Sequence, residues 1–264
     1  MKSLFKNEIK AFCRAAKVCC GHGWTERNGG NLSYRLPDLK GIDIPALRRF
    51  DLQCALPSLD GEVFLVTGTG KYFRNVARDP ENNIGLVRIA KGGKVAELLW
   101  GLKDGGAPTS ELSAHLMSHA ARLAVDPAQR VVLHQHPVHL IAASMTLPAD
   151  ARTVTRALWQ VMTESLVVFP EGVCALPWMI CGGPEIGKAT AEALSAYRIV
   201  LWGLHGAVVA ATSLDEAVGL LEVAEKAAHL HTLTANLPRQ VITDEQLQQI
   251  ADFFGVKPKE GFLG

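Results

Sequence analysis

The sequence predicts a mixed α/β chain, read as one domain over residues 1–264 with a largely antiparallel central β-sheet flanked by helices on both sides. Three observations carry this reading. Apolar strand-like runs are joined by short glycine turns, as antiparallel hairpins are, whereas a purely parallel sheet needs a long crossover between each pair. Stretches of helical period stand between those strands. No internal repeat, low-complexity tract or Gly/Ser/Pro-rich linker divides the chain.

Each element has its own justification. "MKSLFKNEIKAFCRAAKVCC" interrupts its apolar residues with Lys6, Glu8, Lys10, Arg14 and Lys17, which makes it an amphipathic helix and excludes a signal segment or membrane span. Gly21 and Gly23 end its period, and the polar turn "TERNGGN" leads into the alternating strand "LSYRL". Residues 37–60 read as a proline-punctuated loop. "EVFLVTGTGKYF" is an apolar strand running into a glycine turn, and "IGLVRIAKGGKVAELLWG" is a hairpin with Gly92 and Gly93 at its tip. "APTSELSAHLMSHAARLA" is a helix with Thr109 or Ser110 as N-cap and Glu111 in its first turn. A strand "RVVLHQH" follows, then helices through "VHLIAASM" and "TVTRALWQVM", and a strand pair around "LVVFPEGVCALP". The last elements are a helix "PEIGKATAEALSA", a strand "RIVLWGLHGAVVAA" and a long helix from Ser213, with Glu216 as its capping-box partner.

Composition narrows the function classes. A 264-residue chain that is 48% hydrophobic and 20% charged buries a substantial core. Its net charge of +1, with basic residues scattered and the densest clump at Leu47-Arg48-Arg49, offers no stripe for nucleic-acid phosphates. Small-molecule chemistry is the expectation. The six cysteines, at 13, 19, 20, 54, 174 and 181, form no Cys-x-x-Cys pair and suit reduced thiols in the cytoplasm; none is given a chemical role.

The histidines raise the sharper question. In "VVLHQHP", His134 and His136 are two apart on a strand and share a face, so they suit one metal ion or two ordinary imidazoles bonded to backbone or water. His229 and His231 have the same spacing on a helix, where two residues subtend roughly 200 degrees, and cannot share an ion. His115 and His119 lack the glutamate of HExxH, since Leu116 stands there. His205, in "LWGLHGAVVA" between glycines, is the third candidate ligand; three neutral imidazoles with an open position are what a catalytic zinc needs. Glu111 reads either as a proton-transfer group beside such a metal or as an acid placed for the helix dipole. Asn28, Gly30 and Asn31 in one turn, and Thr69 and Gly70 in another, offer amides and hydroxyls to an anion or are simply turns. Neither turn matches a nucleotide fingerprint.

Together, "GWTERNGGNLSYRL", "FLVTGTGKYFRN", "APTSELSAHLMSH", "RVVLHQHP", "TESLVVFPEGVCALP" and "VLWGLHGAV" resemble the class II, zinc-dependent sugar-phosphate aldolases, in the family's order and over about residues 20–225. The resemblance implies a three-layer fold of that family and reversible aldol cleavage of a sugar phosphate. ERNGGNL and TE-x-LVVFPEG narrow it to the branch that splits L-rhamnulose 1-phosphate into dihydroxyacetone phosphate and L-lactaldehyde. It implies one Zn2+ per subunit on His134, His136 and His205, and Glu111 as acid/base. It also implies phosphate contacts from Asn28, Gly30, Asn31, Thr69, Gly70, Thr109 and Ser110. Glu164 is implied to assist at the aldehyde end across a subunit boundary of a homotetramer. Thr69 departs from the family's serine, and His139 has no counterpart there. Other aldolases, a 4-epimerase or a dehydratase on another sugar phosphate are the enzymatic alternatives; an adducin-head-like interaction module, which lacks the metal ligands, is the non-enzymatic one.

Overall fold

The structure, a computed structural model, describes residues 2–264. The first helix, α1 (Lys6–Gly21), buries Ile9, Phe12, Ala15, Ala16 and Cys19 along one face and leaves its lysines and arginine outward. Strand β1 (Asn31–Arg35) follows the glycine turn, and β3 (Val63–Thr67) pairs with it. Residues 37–60, expected to be loop, contain a short strand between them, β2 (Arg48–Asp51), which pairs with a later strand at the sheet margin. Its alternating exposure gave it little apolar signal. The basic clump there is consumed by structure: the Arg48 guanidinium donates to the carbonyls of Leu102, Gly105 and Gly106, and Arg49 pairs with Glu97.

After two single-turn helices, α2 (Phe73–Val76) and α3 (Pro80–Asn83), the expected hairpin forms as β4 (Ile84–Ile89) and β5 (Val95–Gly101). Helix α4 (Leu112–Val125) starts later than expected. Its N-cap residue is Glu111, which makes no capping bond, while Thr109 accepts at Oγ1 from the Glu111 N–H at 3.3 Å. Neither Thr109 nor Ser110 is the cap. Strand β6 (Val131–Gln135), α5 (Val138–Thr146) and α6 (Ala151–Trp159) lie where the periodicity put them.

"LVVF" does not form a strand. It belongs to α7 (Thr163–Val168), and only β7 (Val173–Leu176) follows, so the expected strand pair is a helix and one strand. Ser165, Leu166 and Phe169 are buried while Thr163 and Glu164 are exposed, a helical pattern; the β-branched run signalled extended structure, but tertiary packing overrode it. After α8 (Pro184–Leu194), the long apolar run divides at Gly203-Leu204-His205 into β8 (Ile199–Trp202) and β9 (Gly206–Ala211). In α9 (Leu214–Thr234), Ser213 caps as expected by accepting from the Glu216 N–H. The Glu216 carboxylate reaches past it to Thr212 and Arg198. A final helix, α10 (Asp244–Phe254), had not been anticipated although "TDEQ" spells its capping box.

The nine strands form one sheet in the order β2-β5-β4-β3-β1-β6-β9-β8-β7. Only β7 and β8 run parallel; the other pairs are antiparallel. Alternation along each strand sends side chains to two cores. Leu32, Val63, Leu65, Val131 and Leu133 face a layer that includes α1, α5, α6, α7 and α9, whereas Phe64, Val66 and Leu98 meet α4, and Val132, Val200 and Val208 meet α8. The three-layer arrangement follows from that division.

Candidate metal centre and active site

Four central strands share one end of the sheet: β1 and β9 begin there, and β3 and β6 finish there. Register places Asn31 opposite His134, and the Thr67 hydroxyl accepts from the Leu32 N–H at 3.2 Å. Period 2 then puts Asn31, Ser33, Val132 and His134 on the face covered by α4 and α8.

His134 is fully buried, packed on Trp202 with ring centroids 4.4 Å apart, and its Nδ1–H donates to the Ala207 carbonyl at 3.0 Å. His136 lies one residue beyond β6, and its Nδ1–H donates to Glu26 Oε1 at 2.5 Å. With both rings neutral and both protons on Nδ1, the two Nε2 lone pairs face each other across 3.2 Å. A cation between them, or a proton shared by the two rings, satisfies that contact. Two nitrogens bound to one tetrahedral zinc lie about 3.3 Å apart, so the pair is spaced for such an ion. His205 joins them from the β8–β9 turn, with its ring centroid 4.9 Å from His134 and 5.0 Å from His136. Leu204, at φ 59, turns the chain there, in a left-handed conformation that costs a non-glycine residue about 1–2 kcal/mol. Its N–H is held by Ser144 Oγ at 2.9 Å.

The three ligand atoms lie within 4.8 Å of one another. Among the described residues no other group of His, Cys, Asp and Glu closes to that degree, and no thiolate joins this one. Burial, then the charges of His136 and His205, push His134 well below the usual histidine range; burial, then His136, lowers His205. Neutral imidazoles are the form a metal takes. The residues present therefore fit a divalent cation held by three nitrogens, with coordination left for a small molecule.

Two glycines allow this convergence. A Cβ on Gly206 would stand 2.4 Å from the Gln135 carbonyl oxygen and 2.9 Å from His136 Cδ2. Gly30, at φ +75, lets the turn before β1 lie against β6, since a Cβ there would fall 2.6 Å from Gln135 Nε2 and 2.9 Å from the His134 carbonyl.

The histidines open on a cavity of about 200 Å³. Asn28, Gly30 and Asn31 form one wall, Thr69 and Gly70 the lip, Thr109, Ser110 and Glu111 the opposite side; Glu164 does not line it. Thr69 N–H donates to Ala107 O and Thr109 N–H to Thr67 O, which fixes these loops; the Thr109 oxygen accepts from the Glu111 N–H, so its O–H can still donate to a ligand. The lining contains no Lys or Arg, and Lys71 is paired to Asp104, so an anion bound here meets amides, hydroxyls and backbone N–H groups. Glu111 is half-buried and turned toward β1, where its Oε2 accepts from Asn31 Nδ2 at 2.9 Å. Its carboxylate is thus aimed into the cavity and does not cap α4.

Exposed Glu164 sits on α7, beside a larger cavity of about 430 Å³ lined by Thr163, Ile242, Phe253 and others. That groove is mostly apolar and holds none of the histidines. The sequence reading missed Glu26, which orients His136, and Cys181, which lines the site cavity. Glu26 lay in the quoted turn "TERNGGN" but paired with nothing by spacing; Cys181 carried no signal, because its loop is irregular.

Comparison with known proteins adds an independent finding. The family model for the class II aldolase and adducin N-terminal domain matches residues 10–232. The chain is 47% identical over 261 residues, 97% of its length and 96% of the relative's, to a rhamnulose-1-phosphate aldolase of Listeria innocua. It is 47% identical over 247 residues, 91% and 88% of the two chains, to one of Enterococcus faecalis. Among solved structures, a sugar-phosphate aldolase from Thermotoga maritima aligns with a TM-score of 0.77 at 29% identity, covering 89% of this chain and 98% of that one.

Proposed function

The chain belongs to the family of class II aldolases and adducin N-terminal domains, and on that premise we propose that it catalyses reversible aldol cleavage of L-rhamnulose 1-phosphate to dihydroxyacetone phosphate and L-lactaldehyde. The observation that carries the reading is the convergence of His134, His136 and His205 beside the inward-turned Glu111. The 47% relatives supply the substrate. Retention of all three imidazoles favours an enzyme over an adducin-like interaction module.

His134, His136 and His205 would hold one divalent ion, zinc by the nitrogen donor set. Bound there, it supplies positive charge to the substrate's carbonyl oxygen as negative charge develops on it. Asn28, Gly30, Asn31, Thr69, Gly70, Thr109 and Ser110 grip the phosphate and fix the reacting carbons relative to Glu111. In the cleavage direction the C3–C4 bond breaks, the C4 hydroxyl yields its proton to the carboxylate of the partner subunit's Glu164 as the aldehyde forms, and the electron pair remains on the three-carbon fragment. Glu111 delivers a proton to C3; in the synthetic direction its carboxylate removes it.

The chain acts as one domain within a homotetramer, in which Glu164 serves the aldehyde end of a neighbouring subunit's cavity. The exposed position of Glu164 on α7, outside its own cavity and near exposed Phe253 and Phe254, supports this. No described helix is long and apolar enough to cross a membrane, and six scattered cysteines without a Cys-x-x-Cys pair suit the cytoplasm.

The test is a cleavage assay on L-rhamnulose 1-phosphate beside L-fuculose 1-phosphate, before and after chelation. We expect preference for the former, loss of activity with chelator and recovery with zinc. Equal rates on both sugars would remove the substrate assignment, and chelator resistance would remove the metal.

A further inference from the structure

Four buried polar side chains, Asn31, Ser33, His115 and His119, form a continuous series between β1 and α4. His119 Nε2 lies 2.8 Å from Ser33 Oγ, and Ser33 Oγ lies 2.7 Å from His115 Nδ1. His115 Nε2 bonds Asn31 Oδ1, and Asn31 Nδ2 reaches Glu111 Oε2 at 2.9 Å. Their directions follow from the last link. A carboxylate only accepts, so Asn31 presents its amide nitrogen to Glu111 and its carbonyl oxygen to His115. His115 must then donate from Nε2 and accept at Nδ1 from the Ser33 hydroxyl, whose oxygen in turn accepts from His119 Nε2–H.

Every donor in the series points toward Glu111. We propose that His115, Ser33 and His119 are positioning residues for the active site: they lock the Asn31 amide with its N–H toward Glu111 and so hold that carboxylate where proton transfer takes place. This rests on the assignment of Glu111 given above. Without the His115 donor, the Asn31 amide is free to rotate by half a turn and set its oxygen against the carboxylate, a repulsive contact. The arrangement also has a cost that packing alone does not explain, because buried polar groups are tolerated only when all are satisfied and an apolar layer would fill the same volume. Both histidines are almost completely buried, and His119 stacks obliquely on Phe64 with centroids 4.8 Å apart. Burial pushes His115 down to about 4 and His119 well below its usual range, so both are neutral near pH 7, the form the donor series requires.

The test begins with nitrogen-15 NMR of the zinc-loaded full chain, which reads imidazole tautomers directly. The expected spectrum shows His115 and His119 each carrying its proton on Nε2, with His115 identified by its loss in variants. A proton on Nδ1 of His115 overturns the proposal. Kinetics then separate positioning from packing: His115→Leu should lower kcat by about 10–100-fold with zinc stoichiometry kept and KM changed less than kcat. His115→Gln, which keeps an amide donor for Asn31, should recover most of that loss. Equal kcat for folded Gln and Leu variants overturns the idea. Should the Leu variant fail to fold, Ser33→Ala removes one hydroxyl only; it must move the His115 Nδ1 resonance and lower kcat, and no change in either counts against the series. Failure of the wild-type enzyme to cleave L-rhamnulose 1-phosphate would sink the substrate assignment while the spectra still judge the tautomers.

Discussion

At the residue scale, the site is made by proton placement as much as by proximity. The Ala207 carbonyl and the Glu26 carboxylate each accept a hydrogen bond from an Nδ1–H, and in the neutral rings this turns both Nε2 lone pairs inward. Glu111 is separate from that set, so its removal should cost chemistry and spare the metal. We expect Glu111→Gln to bind zinc at wild-type stoichiometry while kcat falls by about 10²–10⁴-fold. Metal analysis with steady-state kinetics checks this, and near-normal turnover would dismiss Glu111 as the proton carrier. The pair His134 and His136 was legible as a candidate because a strand's period of two makes His-x-His geometrically informative, whereas His205, a candidate by its glycine-flanked position, was joined to it through the family resemblance. Glu26 was not, since nothing in spacing links a turn before β1 to a residue 110 positions later.

At the scale of elements, local rules succeeded wherever one principle dominated. The Gly92-Gly93 hairpin, the amphipathic α1 and the Ser213 cap all formed as read. They failed where two principles competed. "LVVF" has β-branched content but sits on a helix whose buried side is set by its neighbours, and the apolar run 198–211 conceals a turn because Leu204 adopts positive φ without a glycine. Helix α10 carries an exposed, reciprocal capping box: Thr243 Oγ1 accepts from the Gln246 N–H and Gln246 Oε1 accepts from the Thr243 N–H. Thr243→Ala should destabilise the protein by about 1 kcal/mol, and zinc content should not change. Thermal unfolding reads the first and metal analysis the second. An unaltered melting temperature would mean that α10 frays independently of the remaining fold.

For the whole molecule, buried neutral histidines make stability depend on pH in a window that the carboxylates do not cover. His115 has a folded value of about 4 and His119 is also strongly lowered, against about 6.5 for an unfolded histidine. Between those values the unfolded chain binds protons that the native chain refuses, so stability rises with pH and is lost as pH falls from about 6.5 toward 4. The slope is about 1.4 kcal/mol per pH unit for each such histidine. The lowered carboxyls of Glu97 and Asp244, held down first by hydrogen bonds from Arg88 and Arg156, contribute only at lower pH. Urea unfolding from pH 6.5 to 5 should show falling stability, with a shallower slope in His115→Gln. Identical slopes would mean that His115 is already protonated in the native state.

By itself the sequence determined the class of fold, the elements whose period was unmixed, and the residue types able to hold a metal, because periodicity and side-chain chemistry are local properties. Only the tertiary structure decided that β1, β3, β6 and β9 share one end, that His205 closes on His134 and His136, and that Glu111 turns from its helix to Asn31. Those outcomes depend on strand order and register, which bring together residues from positions 26 to 205, and no window along the chain contains them.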